Sequence, residues 1–154
     1  MQKNVQFAQK ALIIKETKGK KYMLLLKYKA APKNSEKVIG KYGCPGGRLD
    51  FGETPDEAMK RECMEEAGVE VEPGDIVGLK TWFVEIPEKD MHNQIIAAFR
   101  ICRYLGGKTT GYVSDEAKIE KSEWVHIDKF DFGNNCIKDD LEIIKKALEK
   151  IQNE

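Results

Sequence analysis

Glu62, Glu65 and Glu66 stand three and four residues apart in the run Arg61-Glu62-Cys63-Met64-Glu65-Glu66, so on a helix they share one ridge. Side chains at those steps have Cβ atoms roughly 5–6 Å apart. Three carboxylates at that separation repel one another, and a compensating cation is the simplest remedy. Oxygen-only donors suit a hard divalent ion such as Mg²⁺, with Mn²⁺ as a substitute. Mg²⁺ uses few protein carboxylates and completes its shell with water and substrate phosphate, which points to phosphoryl chemistry. The competing reading is a solvated acidic face, a common feature of a chain that is 34% charged.

The segments around the ridge are specified on both sides. Thr54-Pro55-Asp56-Glu57 reads as a helix start, with Thr54 as N-cap, Pro55 at the first helical position and Glu57 three residues after the cap. Gly68 supplies a left-handed C-cap, so the helix is expected to run to about Ala67. Met59, Cys63 and Ala67 form an apolar stripe beside the glutamates, able to seat the helix on a sheet. Upstream, Gly43-Cys44-Pro45-Gly46-Gly47 is a turn that brings backbone close to something.

Two β-favouring runs, Gln6 to Glu16 and Lys21 to Lys29, flank Thr17-Lys18-Gly19-Lys20 and predict a hairpin, whose lysines are expected to solubilise an exposed edge. Ala30 to Tyr42 reads as a loop, Ile76 to Ile86 and Gln94 to Tyr104 as strands joined through Pro87 to Asp90, and Glu123 to Ile127 as a short strand. Ile137, Leu141, Ile144, Leu148 and Ile151 form the apolar stripe of a closing helix. Strands before, between and after two helices predict an α/β sandwich with a mixed sheet.

Residues 1–154 fit a single domain on length. Lys plus Arg and Asp plus Glu both number 26, which argues against a nucleic-acid partner. Cys44, Cys63, Cys102 and Cys136 form no C-x-x-C pair and read as reduced, buried thiols. His92 and His126 lack partners at ligand or triad spacing and read as structural. No apolar stretch approaches a membrane span and Met1 to Lys10 is no signal peptide, so a cytoplasmic location is expected.

The spacing as a whole carries more information than the glutamates alone. Gly47, Glu53, Arg61-Glu62, Glu65-Glu66 and Gly68 stand at intervals that resemble the signature of the Nudix hydrolase superfamily, to which MutT belongs. At a residue frequency near 7%, seven such matches at one start have a chance probability on the order of 10⁻⁸. Val69 fits the signature's aliphatic position, whereas Cys63 is smaller than the expected one. Cys44-Pro45-Gly46-Gly47 and Glu123-Trp124-Val125 are similar to the flanks of the family pattern.

The resemblance implies an α/β/α sandwich with a mixed β-sheet and Mg²⁺-dependent hydrolysis of a phosphoanhydride. Glu62, Glu65, Glu66 and the carbonyl of Gly46 would be metal ligands, and Arg61 and Glu53 a structural pair. Glu62 is the first candidate for general base. Some relatives use a glutamate beyond the box, for which Glu116 is the best match and Glu120 the next; an ordinary acidic loop residue is the competing reading. Nucleotide-cleaning relatives place a purine-reading asparagine where Asn134 stands, although a turn or N-cap role competes.

Arg48 and Arg100 are candidates for phosphate or ribose, against solvated arginines, and Trp82 or Phe83 for stacking on a base, against a core position. The substrate implied is a nucleoside triphosphate, intact or oxidised, giving a nucleoside monophosphate and pyrophosphate. ADP-ribose or nucleotide sugars, dinucleoside polyphosphates and a catalytically inactive nucleotide-binding module are the alternatives. Proline or tyrosine markers of the first two groups are absent from Phe83 to Ile86. Homodimers are frequent in the family.

Overall fold

A computed structural model describes residues 1–29, 38–109 and 119–153. Its centre is the hairpin of β1 (Gln2–Thr17) and β2 (Lys20–Tyr28), closed by Lys18 and Gly19 at φ 53° and 75°. A two-residue turn with both centres left-handed matches the right-handed twist of the paired strands.

Short strands β3 (Tyr42–Gly43) and β4 (Gly46–Arg48) pair with β2 and β1 respectively. The two longest strands are β5 (Val69–Ile86) and β6 (Met91–Gly107), and β7 (Ile119–His126) adds to β2. The order is β3-β2-β1-β6-β5, with β4 on β1 and β7 on β2. The β1–β6 pairing is parallel and the remaining strand pairings antiparallel, so the sheet is mixed as expected.

Both sheet faces are covered, which explains why β1 and β2 read as continuous apolar runs. Ala11, Ile13, Leu24 and Leu26 face helix α1 (Pro55–Ala67), meeting Met59, Cys63 and Ala67. Leu12, Met23, Leu25 and Phe99 face helix α3 (Lys138–Gln152), meeting Ile143, Ile144 and Ala147. A four-residue helix, α2 (Phe132–Asn135), precedes α3. Among the described residues no helix is long and apolar enough to cross a membrane.

Several expectations need correction. The lysine-bearing hairpin is not an exposed edge; β1 lies between β2 and β6, and the main path ends on β3 and β5. Two of those lysines have partners in the fold: Lys15 lies 4.2 Å from the Trp124 ring centroid, and Lys21 donates to the Ile151 carbonyl. Strand β5 begins directly after Gly68, and register shifts near Val71, Ile76 and Gly78 mask its alternation. The stripe of α3 is centred on Ile143, Ile144, Ala147 and Ile151, with Asp140 buried among them; Leu141 and Leu148 are only partly buried. All four cysteines are free and buried.

Candidate active site

Helix α1 begins and ends where its caps place it. Thr54 Oγ1 accepts the Glu57 N–H at 3.2 Å, and the Gly68 N–H, at φ 68°, returns to the carbonyls of Cys63 and Met64. Burial of Met59, Cys63 and Ala67 against the sheet fixes the rotation of the helix. That rotation turns Glu62 and Glu66 toward β4 and leaves Glu65 more exposed.

Arg61 ties the ridge to the preceding loop. Its Nε donates to Glu53 Oε2 at 2.8 Å and its Nη2 to Glu53 Oε1 at 2.9 Å, a two-pronged contact. Nη2 also reaches the Arg48 carbonyl at 3.2 Å, and Nη1 reaches Glu62 Oε1 at 2.9 Å and Glu65 Oε2 at 3.2 Å. The Glu53 carboxyl is held below its ordinary range by Arg61 and by the Asp50 N–H.

The two inner glutamates sit against glycine backbone. The Gly46 N–H donates to Glu66 Oε2 at 3.0 Å. A Cβ placed on Gly47 would lie 2.5 Å from the Glu62 carboxylate, and one on Gly46 would collide with the Gln9 backbone. Burial pushes Glu66 up to about 7 against the pull of the Gly46 N–H, and repulsion from Glu62 adds to the rise. Glu62 is also raised by burial, opposed by Arg61 and reinforced by Glu65 and Asp50.

Among the described residues no three acidic, His or Cys side chains converge as a ready-made ion site. Glu62 and Glu65 are turned to the Arg61 guanidinium and Glu66 to an N–H. The surroundings still suit a divalent cation. The donors are all hard oxygens, and a cation would offset the burial and mutual repulsion that raise Glu62 and Glu66.

Beside the glycine turn opens a cleft of about 220 Å³, with Lys10, Gly46, Gly47, Arg48, Trp82 and Asn93 in its lining. Arg48 lines it while donating to Gln6 Oε1. Trp82 lines it too, whereas Phe83, one residue on, faces outward beside His92.

Each of the three guanidinium nitrogens of Arg100 has a protein partner, in Gly74 O, Gln9 Oε1 and Asp56 Oδ1. Asn134 sits in α2 with its side chain on Asp131 Oδ2 at 2.7 Å, the turn role that competed with base reading. Glu116 lies outside the described residues, and Glu120 lies on β7, 3.7 Å from Lys27. His126 packs edge-on against Tyr22 and accepts the Asp128 N–H.

Sequence reasoning missed Asp140 and Lys10. Asp140 accepts Lys10 Nζ at 2.9 and 3.1 Å and the Cys44 N–H at 2.9 Å, locking α3 to β1 and to the glycine turn. The only available signal was a lysine inside the apolar run of β1.

Comparison with known proteins matches residues 7–146 to the model of the NUDIX domain. The fold resembles a MutT NUDIX hydrolase from Burkholderia pseudomallei, at TM-score 0.63 and 20% identity over 93% of this chain and 98% of the other. It also resembles a MutT protein from Methanosarcina mazei, at TM-score 0.62 and 25% identity over 99% of each chain. An ADP-ribose pyrophosphatase from Streptococcus suis superposes at TM-score 0.62 and 21% identity, over 96% and 92%. No curated protein matches the chain significantly.

Proposed function

The chain belongs to the NUDIX domain family, and from that premise we propose that it hydrolyses a phosphoanhydride bond of a nucleotide, cleaving a nucleoside triphosphate to the monophosphate and pyrophosphate. The observation that carries this reading is the confinement of Glu62 and Glu66 against the Gly46-Gly47 backbone, both above their ordinary proton affinities. Carboxylates held this way invite a divalent cation.

Glu62, Glu65, Glu66 and the Gly46 carbonyl would hold Mg²⁺, or Mn²⁺ in its place. The bound ion would supply charge neutralisation on the phosphate oxygens. Arg61, anchored by Glu53, orients Glu62 and Glu65 from behind. Glu62, bordering the glycine turn, accepts the proton of the attacking water, and burial raises its proton affinity in the direction that favours a general base. Glu116 is the alternative base. Trp82 stacks on the nucleobase and Arg48 meets the phosphate or ribose at the cleft mouth. Residues 1–154 act as one domain, and the homodimers frequent in the family are an expectation that light scattering tests.

A panel of nucleoside triphosphates, ADP-ribose, nucleotide sugars and dinucleoside polyphosphates, assayed for phosphate and pyrophosphate with and without Mg²⁺, tests the reading. Metal-dependent release of pyrophosphate from a triphosphate supports it. Cleavage of ADP-ribose alone would replace the substrate, and tight nucleotide binding without turnover would replace the enzyme with a binding module. Glu62→Gln and Glu65→Gln each lower kcat by orders of magnitude with the fold intact.

A further inference from the structure

Lys10 stands in the wall of the cleft, projecting from the face of β1 that also carries Ala8 and Leu12 into the α3-side core. Its ammonium is 2.9 and 3.1 Å from the two oxygens of Asp140 and 5.9 Å from the ring centroids of both Trp82 and Phe99. The Asp140 side chain is 0% exposed, while 17% of the Lys10 side chain remains open. Asp140 is further committed to the Cys44 N–H, so it is the buried anchor and Lys10 the accessible member of the pair.

An ammonium has three N–H donors and no acceptor. Two serve Asp140, which leaves one donor beside a tryptophan on the cleft wall. Among the described residues no acidic side chain lines this cleft; its other polar linings are Gln6, Gln9, Asn93 and Arg48. A planar group lying against Trp82 would therefore meet a fixed donor at Lys10. An oxo group satisfies that donor, whereas an exocyclic amine opposes N–H to N–H and leaves both unpaired.

We propose that Lys10, held by Asp140, is a specificity-determining residue that selects 6-oxo and 4-oxo nucleobases over their 6-amino and 4-amino counterparts. This inference rests on the nucleotide-hydrolase reading above. A nucleobase oxygen is the better match than a phosphate, because the carboxylate of Asp140 cancels the net charge a phosphate would seek. The reacting phosphates belong instead with the Glu62, Glu65 and Glu66 ridge.

The test is kcat/KM for inosine against adenosine triphosphate, and for uridine against cytidine triphosphate, on the wild-type protein and on Lys10→Met/Asp140→Asn. The asparagine keeps an acceptor for the Cys44 N–H, and Lys10→Gln, which offers both donor and acceptor, serves as a second variant. The wild type is expected to favour the oxo member of each pair by about tenfold or more. Both ratios should fall to within about twofold of one in the double variant and to intermediate values in Lys10→Gln. Metal-free equilibrium dialysis of inosine and adenosine monophosphate should show the same preference without turnover. Wild-type ratios near one, or a preference that survives loss of the lysine, overturn this inference while leaving the hydrolase reading intact. If none of these nucleotides is bound or cleaved, both fall together.

Discussion

The Glu62 carboxylate rests so close to Gly47 that a Cβ on the glycine would stand 2.5 Å from it. The glycine is required by that approach, since Gly47 does not have the left-handed φ seen at Gly52 or Gly68. Gly47→Ala should displace the Glu62 carboxylate by a fraction of an ångström, at a stability cost of about 1–3 kcal/mol from overpacking. Activity should fall by about tenfold to a hundredfold, since small misplacements at a reacting centre are costly. Steady-state kinetics together with a thermal melt check this; unchanged kcat would show that Glu62 need not sit where it does.

Arg61 cannot be replaced by lysine without loss. Its planar fork meets Glu53 at two points while Nη1 reaches Glu62 and Glu65 and Nη2 the Arg48 carbonyl. A lysine is a single point charge and reproduces one of these contacts at best. Arg61→Lys should cost about 1–3 kcal/mol in urea unfolding and lower kcat more than it alters KM. In a double-mutant cycle Glu53→Gln should add little once Arg61 is gone. Full additivity would mean that the two residues act separately.

Proton and metal should compete at Glu66. Its folded value of about 7 lies above the ordinary 4.5. Below about pH 4.5 the group is protonated in both folded and unfolded chains and contributes nothing to stability. As pH rises from 4.5 to 7 the unfolded carboxyl ionises while the folded one resists. The metal-free protein then loses up to about 3 kcal/mol, the 2.5-unit difference at 1.36 kcal/mol per unit, with the loss complete above 7. A divalent cation must displace that proton, so Mg²⁺ should raise Tm more at pH 8 than at pH 6. Thermal melts across pH, with Glu66→Gln as control, measure both trends. A Mg²⁺ effect independent of pH would remove Glu66 from the ligand set.

Parts of this arrangement were legible in the sequence because they are local. Thr54, Pro55 and Gly68 mark the ends of α1 through capping alone, and the three-and-four spacing puts the glutamates on one ridge whatever the rest of the chain does. The relations that shape the cleft are not local. Lys10 and Asp140 are 130 residues apart and meet only because β1 is central and α3 lies across it. A hydropathy pattern along α3 cannot register that Asp140 is buried against a lysine from β1. The partners of Arg100 were out of reach for the same reason: Asp56, Gln9 and Gly74 come from three separate segments. The lysines of the hairpin suggested an edge, and strand order, which no single strand encodes, puts them near the centre.

Trp82 and Phe83 are adjacent on β5 and have different surroundings. Successive side chains of β5 point to opposite faces, so Trp82 lines the cleft and Phe83, 63% exposed, faces outward. Loss of a base-stacking aromatic costs about 1–3 kcal/mol. Trp82→Ala should therefore raise KM for the nucleotide by roughly tenfold to a hundredfold, with a smaller effect on kcat. Trp82 also packs on the α3-side core, so the alanine variant will melt earlier. Trp82→Phe keeps a ring in place and should recover most of the KM while leaving a partial stability deficit. Phe83→Ala should leave KM within about twofold, because its ring lies outside the lining of the cleft. Should Phe83→Ala raise KM as much as Trp82→Ala, the base would bind on the opposite face of the sheet and the assignment of the cleft would be wrong.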